Sequence, residues 1–160
     1  MNPSVAALKP AEFIYWEKYV DTSGRNENFQ NTFVAAAYAG NPQITDELLA
    51  LYLSGKKTVG SSLLVDFISA GDPLPQVGNH WIYLNGKGEP SCILKTEKIV
   101  RNKFKEVPVE IAIAEGEGDL SLEYWRRIHS ELYNPYLEAW GVSDLSDATV
   151  ITEFFKIVFK

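Results

Sequence analysis

Apolar residues along the chain switch between helical spacing and strand-like alternation, and the switches outline its elements. In residues 11–20, AEFIYWEKYV, the side chains of Phe13, Trp16, Tyr19 and Val20 recur at helical spacing, which predicts an amphipathic helix. DTSGRNEN breaks that pattern, and the periodicity after it is weaker. A second helix is predicted over TDELLALYLSG, with Thr45 as its cap, Asp46 and Glu47 at its positive end and Gly55 at its stop.

That helix leads into residues 54–62, SGKKTVGSS. Further on, Pro73, Pro75 and Gly78 mark a loop, WIYL reads as a strand, and NGKG turns the chain into a hairpin. Residues 91–101 and the closing ATVITEFFKIVFK are rich in β-branched and apolar residues and predict further strands. VPVEIAIAEGEGD supports two readings. Val107, Val109, Ile111 and Ile113 alternate as in a strand, while Pro108 and the alanines suit a short helix. SLEYWRRIHSELY predicts a helix capped by Ser121, with Glu123 in its first turn and Leu122, Trp125, His129 and Leu132 on one face; Pro135 ends or bends it. There is no internal repeat and no low-complexity segment.

With 160 residues, 46% of them apolar, the chain has the size of one domain and can bury a sizeable core. Four Trp, eight Tyr and eight Phe predict an aromatic-rich interior. Cys92 is the single cysteine, so no internal disulfide forms. No signal-peptide pattern opens the chain and no apolar run reaches membrane-spanning length, so a soluble, cytoplasmic protein is expected.

The formal charge of -6 argues against wholesale coating of nucleic acid, which draws on many lysine and arginine contacts. Charge is nevertheless segregated: Lys95, Lys98, Arg101, Lys103 and Lys105 form a basic run, and the stretch from Glu106 to Glu123 carries acids and no base. Either run can be a solvated face or a local patch.

In SGKKTVGSS, two lysines beside hydroxyl side chains can hold an anion, activate a nucleophile, or form a solvated turn. If the segment leaves the helix as a strand, Lys56 and Lys57 point to opposite faces. Thr58, Ser61 and Ser62 either satisfy local backbone groups or hydrogen-bond a phosphate or base edge. Trp125 and His129, four apart, share a helix face: the pair either stacks a base and donates a proton, or sits in the core. Arg126 and Arg127 point away from that face, where they can contact phosphate. Glu115 and Glu117 read as helix-end charges, and His80 as a strand-edge residue. Two distant histidines and one cysteine give no zinc-ligand spacing.

GKKTVGSS, then GDPLPQVG, the hairpin with SCILKTEKI, and AEGEGDLSLEYWRRIH, in that order, resemble the ASCH family of small domains, whose fold is similar to PUA domains. The resemblance covers residues 45–159. It implies an α+β fold, a PUA-like mixed, mainly antiparallel β-barrel with flanking helices and a cleft beside GKKT, and it favours the helical reading of Pro108–Ala114. Residues 45–160 would form that domain, with residues 1–44 as an N-terminal helical extension packed on it, which either closes the barrel or supplies a homodimer surface.

Family members look like RNA or nucleotide binders. Two hydrolytic activities are associated with the family: ribonuclease action, and removal of acyl groups from the exocyclic nitrogen of cytidine. In the deacylating members the motif has the form G-[RK]-K-T-x-T, with the lysine, the second threonine and a later glutamate as the catalytic set. Lys57 matches that lysine and Glu117 of AEGE matches the glutamate, but Gly60 stands where the second threonine would be. Thr58, Ser61 or Ser62 would then supply the hydroxyl.

A lysine acts as a base only when neutral, and lowering its ordinary value of about 10.4 to about 7 needs roughly 4 to 5 kcal/mol of bias. An ammonium that binds an oxyanion is the easier role, which leaves proton transfer to Glu117. The expected catalytic set is Lys57, Glu117 and Thr58, with Lys56, Ser61, Ser62, Trp125, Arg127 and His129 on the ligand. The leading expectation is an RNA- or nucleotide-binding hydrolase of ribonuclease type; an amidohydrolase of N4-acylcytidines and a non-catalytic RNA or nucleoside reader are the alternatives. The expected partner is RNA or a cytidine-type nucleoside or nucleotide, with no membrane partner. No cofactor is required, and a divalent ion, if used, would sit on Glu115, Glu117 or Asp119.

Overall fold

The computed structural model describes residues 7–23, 28–29 and 32–160. Among the described residues, five α-helices and five strands form an α+β fold whose sheet has the strand order β1-β3-β4-β5-β2. The sheet is mixed and mainly antiparallel, as expected. Its contacts fall into two compact units, residues 1–54, 77–97 and 155–160 in one, and residues 55–76 and 98–154 in the other.

In the first unit, helix α1 (Pro10–Ser23) starts with proline in its first turn, and the Glu12 carboxylate reaches back to the Lys9 N–H at 2.9 Å. It buries Trp16 and Tyr19 with Val34, Ile82 and Ile93, so the periodicity of residues 11–20 marks its inner face. His80 lies buried among the rings of Trp16, Tyr19 and Phe29 rather than at an exposed strand edge.

Strand β1 (Val34–Ala37) runs parallel to β3 (His80–Leu84), which turns through Asn85–Gly88 into the antiparallel β4 (Pro90–Lys103). VAAA is too short and too small-sided to announce β1 by alternation. Helix α2 (Pro42–Leu53) is capped by Asn41, whose side chain accepts from the Ile44 N–H at 2.9 Å. Thr45 is therefore not the cap: Pro42 starts the helix earlier, and the buried Thr45 hydroxyl accepts from the Ala39 N–H.

In the second unit, β2 (Val59–Leu63) pairs antiparallel with β5 (Thr149–Phe159), from Val59 opposite Phe154 to Leu63 opposite Val150. Helix α3 (Leu64–Ala70) follows β2 directly. Helix α4 (Val109–Glu115) resolves the ambiguous VPVEIAIAE segment, and α5 (Leu122–Tyr133) is capped by Ser121 through the Tyr124 N–H at 3.0 Å. Its inner face carries Trp125, His129 and Tyr133, while Leu132 is 56% exposed, one position off the buried stripe. Val59, Leu63, Phe104, Val107, Ile111, Trp125, Tyr133 and Val150 form this unit's core. Among the described residues, no helix is long and apolar enough to cross a membrane.

Candidate functional site

Two segments of the second unit are brought together by close backbone contact. The Thr58 N–H donates to the Ala114 carbonyl at 2.8 Å, tying the start of β2 to the last turn of α4. Helix α4 stops at Gly116, whose φ of 71° lies in the left-handed region open to glycine. A β-carbon at Gly116 would collide with the Lys56 carbonyl oxygen, so glycine lets the two backbones touch. Glu115 and Glu117, on either side of that glycine, are thereby held beside Lys57.

Lys57 is buried, and its Nζ donates to Glu115 Oε2 and to Glu117 Oε2, each at 3.0 Å. Glu115 is buried too; its Oε1 accepts from Trp125 Nε1 at 3.1 Å and lies 3.6 Å from His129 Nε2. Ser61 is a further neighbour that favours the ionised Glu115 carboxyl. The Ser61 and Thr152 hydroxyls lie 3.1 Å apart, within hydrogen-bonding distance of each other. The His129 ring stacks on Trp125 at 4.0 Å and places Nδ1 2.8 Å from the Trp125 carbonyl oxygen. A carbonyl only accepts, so Nδ1 carries the hydrogen and Nε2 faces Glu115.

Burial pushes the Glu115 carboxyl up, but Lys57, His129 and hydrogen bonds from its neighbours outweigh it and bring the group down to about 2. Glu117 moves the other way. Its own burial, joined by the hydrogen bond and charge of Glu115, raises it above the usual carboxylate range against the pull of Lys57. Desolvation lowers His129 below its ordinary value and so favours the neutral imidazole, against the opposing pull of Glu115. Two carboxylates on one ammonium thus divide their roles. Glu115 is a fixed anion, and Glu117, with 27% of its side chain exposed, is the group able to exchange a proton with a ligand.

Other expected site residues are distributed differently. Lys56 and Thr58 are exposed, and the Thr58 hydroxyl turns to the Ala114 carbonyl at 3.4 Å. Trp125 and His129 are buried and stacked on each other, and with Glu115, Glu117, Ser121 and Tyr124 they line a small pocket. Arg127 is exposed, 3.4 Å from Glu131 and over the Tyr124 ring, while Arg126 donates to the Lys105 carbonyl at 2.8 Å. Among the described residues no three His, Cys, Asp or Glu side chains are grouped as a metal site.

Ser61 and Ser62 line an open cleft with Asp66, Tyr133, Tyr136 and Trp140, about 800 Å³ of open space. The sequence reading did not single out Asp66, Tyr136 or Trp140. The signal for Tyr136 and Trp140 is NPYLEAW, where two aromatics four positions apart follow Pro135.

Comparison with curated proteins finds no significant match. Among solved structures, the chain is similar to an ASCH domain from Lactobacillus crispatus JV V101, at 25% identity and a TM-score of 0.86 over 96% of this chain and 98% of that one. A protein from Enterococcus faecalis V583 is similar in fold, at 24% identity and a TM-score of 0.76 over 91% of this chain and 86% of that one. The ASCH domain model matches residues 35–159, and with the fold and the Lys57–Glu117 pairing in place, the chain belongs to the ASCH domain family.

Proposed function

We propose that the protein is a hydrolase of N-acylated cytidine-type nucleosides, with Lys57 and Glu117 at the reacting bond. The observation that carries this reading is the pair of carboxylates on Lys57, whose Nζ lies 3.0 Å from each of them. An ammonium already held by two acids suits the polarisation of a neutral carbonyl better than the binding of a further anion. A phosphodiester would bring a further negative charge to a site that already holds Glu115 and Glu117.

In the proposed reaction the Glu117 carboxylate takes a proton from water, and the water oxygen bonds to the acyl carbon. Lys57 donates to the oxyanion that develops on the acyl oxygen. The carbon–nitrogen bond then breaks, and Glu117 returns the proton to the exocyclic nitrogen, giving cytidine and a carboxylic acid. Glu115 stays ionised and holds Lys57 in place. Water is the nucleophile in this scheme, so the reaction draws on no hydroxyl at Gly60.

The reading is tested by incubating the protein separately with N4-acetylcytidine and with single-stranded RNA. Release of cytidine and acetate is expected, and its loss in Glu117→Gln. RNA cleavage without acetate release would replace the reading with a ribonuclease, and tight nucleoside binding without turnover of either would replace it with a reader.

A further inference from the structure

The open cleft beside β2 is built from three places in the second unit. Strand β2 supplies Ser61 and Ser62, the first turn of α3 supplies Asp66, and the end of α5 with the turn after Pro135 supplies Tyr133, Tyr136 and Trp140. The Trp140 N–H bonds the Tyr136 carbonyl at 3.0 Å, so this turn repeats at helical spacing and puts both rings on one side. The rings stack at 5.3 Å and 26°, with Tyr136 53% exposed. A planar base can add to such a stack at the outer face, where aromatic contact tolerates any base.

The polar groups of the cleft are the Ser61 and Ser62 hydroxyls, the Tyr133 hydroxyl, which donates to the Ser61 carbonyl at 3.3 Å, and the Asp66 carboxylate. No lysine, arginine or histidine is among its lining residues. A ribose or an exocyclic amine finds acceptors there, whereas a phosphate meets a carboxylate without a cation. Ser61 connects this cleft to the charged cluster, because it is a neighbour that lowers Glu115 and at the same time forms part of the cleft wall, where its carbonyl accepts from the Tyr133 hydroxyl.

We propose that the cleft lined by Ser61, Ser62, Asp66, Tyr133, Tyr136 and Trp140 is the nucleoside subsite, and that it selects the uncharged nucleoside over its phosphorylated form. This rests on the hydrolase reading for what is bound, but binding is measurable without turnover. Calorimetric titration with cytidine and with cytidine 5′-monophosphate is the test. Cytidine is expected to bind at least about tenfold more tightly than the monophosphate. Tyr136→Ala is expected to weaken cytidine binding by about tenfold while the folded state is retained, since Tyr136 is more than half exposed.

Asp66→Asn should narrow the gap between the two ligands. Equal or tighter binding of the monophosphate, or cytidine binding unchanged in Tyr136→Ala, would overturn the proposal. Hydrolysis of N4-acetylcytidine that persists unaltered in Tyr136→Ala would overturn the subsite and leave the reaction standing. Selective cytidine binding without hydrolysis would sustain the subsite and remove the reaction.

Discussion

Gly116 presses its backbone against the carbonyl of Lys56, at a distance that leaves no room for a β-carbon. That contact puts Glu115 and Glu117 beside Lys57, so the site depends on a residue that has no side chain. Gly116→Ala would add both the collision and the cost of a left-handed alanine, about 1–3 kcal/mol for the backbone alone. Urea unfolding should show the loss of stability, and hydrolysis should fall with it because Lys57 and Glu117 are moved apart.

Removing the ammonium should cost more than removing either acid. Lys57→Met leaves Glu115 and Glu117 together without their shared cation, and breaking a buried ion pair in this way costs about 3–5 kcal/mol. The loss should be largest at pH 7 and shrink toward pH 5, because the abandoned carboxyls can then take up a proton. Unfolding midpoints of the variant and the wild type at the two pH values measure it.

The two glutamates should respond to the same substitution in opposite senses. Glu115 falls from its ordinary 4.5 to about 2 in the folded chain, so its contribution is fully present above pH 4.5 and is lost as pH drops toward 2. Its size is on the order of 3 kcal/mol. Glu117 is raised, so its ionised form is disfavoured by folding, and its contribution is present below pH 4.5 and lost as pH rises through the folded value. Glu115→Gln should therefore destabilise the protein at pH 7, with a flattened acid limb. Glu117→Gln should be at least as stable as the wild type at pH 7 and yet inactive. Thermal melts across pH 3 to 7, paired with acetate release, separate the two.

Ser121→Ala should cost about 1 kcal/mol through the lost cap on α5, which carries Trp125 and His129. The expected readout is a lower unfolding midpoint with an unaltered pH profile of hydrolysis, since the Ser121 oxygen accepts from the Tyr124 N–H and its side chain favours the ionised Asp119.

Much of this architecture is legible in the order of residues. Helical spacing over AEFIYWEKYV, the NGKG turn, the Ser121 cap and the apolar run of β5 each depend on neighbours a few positions away, and each forms where that spacing places it. The Asn41 cap was hidden because Pro42 and Asn41 stand before the apolar pattern of α2 begins, while Thr45 sits nearer to it. Leu132 and Tyr133 are adjacent on α5, and only the packing of the second unit chose which of them to bury.

The chain's own sequence determined which residues are available to meet: a lysine after a helix stop, and two acids astride a glycine some sixty positions later. Only the tertiary structure decided how they share the work. Whether a carboxyl is ionised or protonated depends on the water removed from it and the charges brought to it, and both are supplied by segments far apart along the chain. Packing lowered Glu115 and raised Glu117, and it buried Trp125 and His129 while leaving Tyr136 open to solvent.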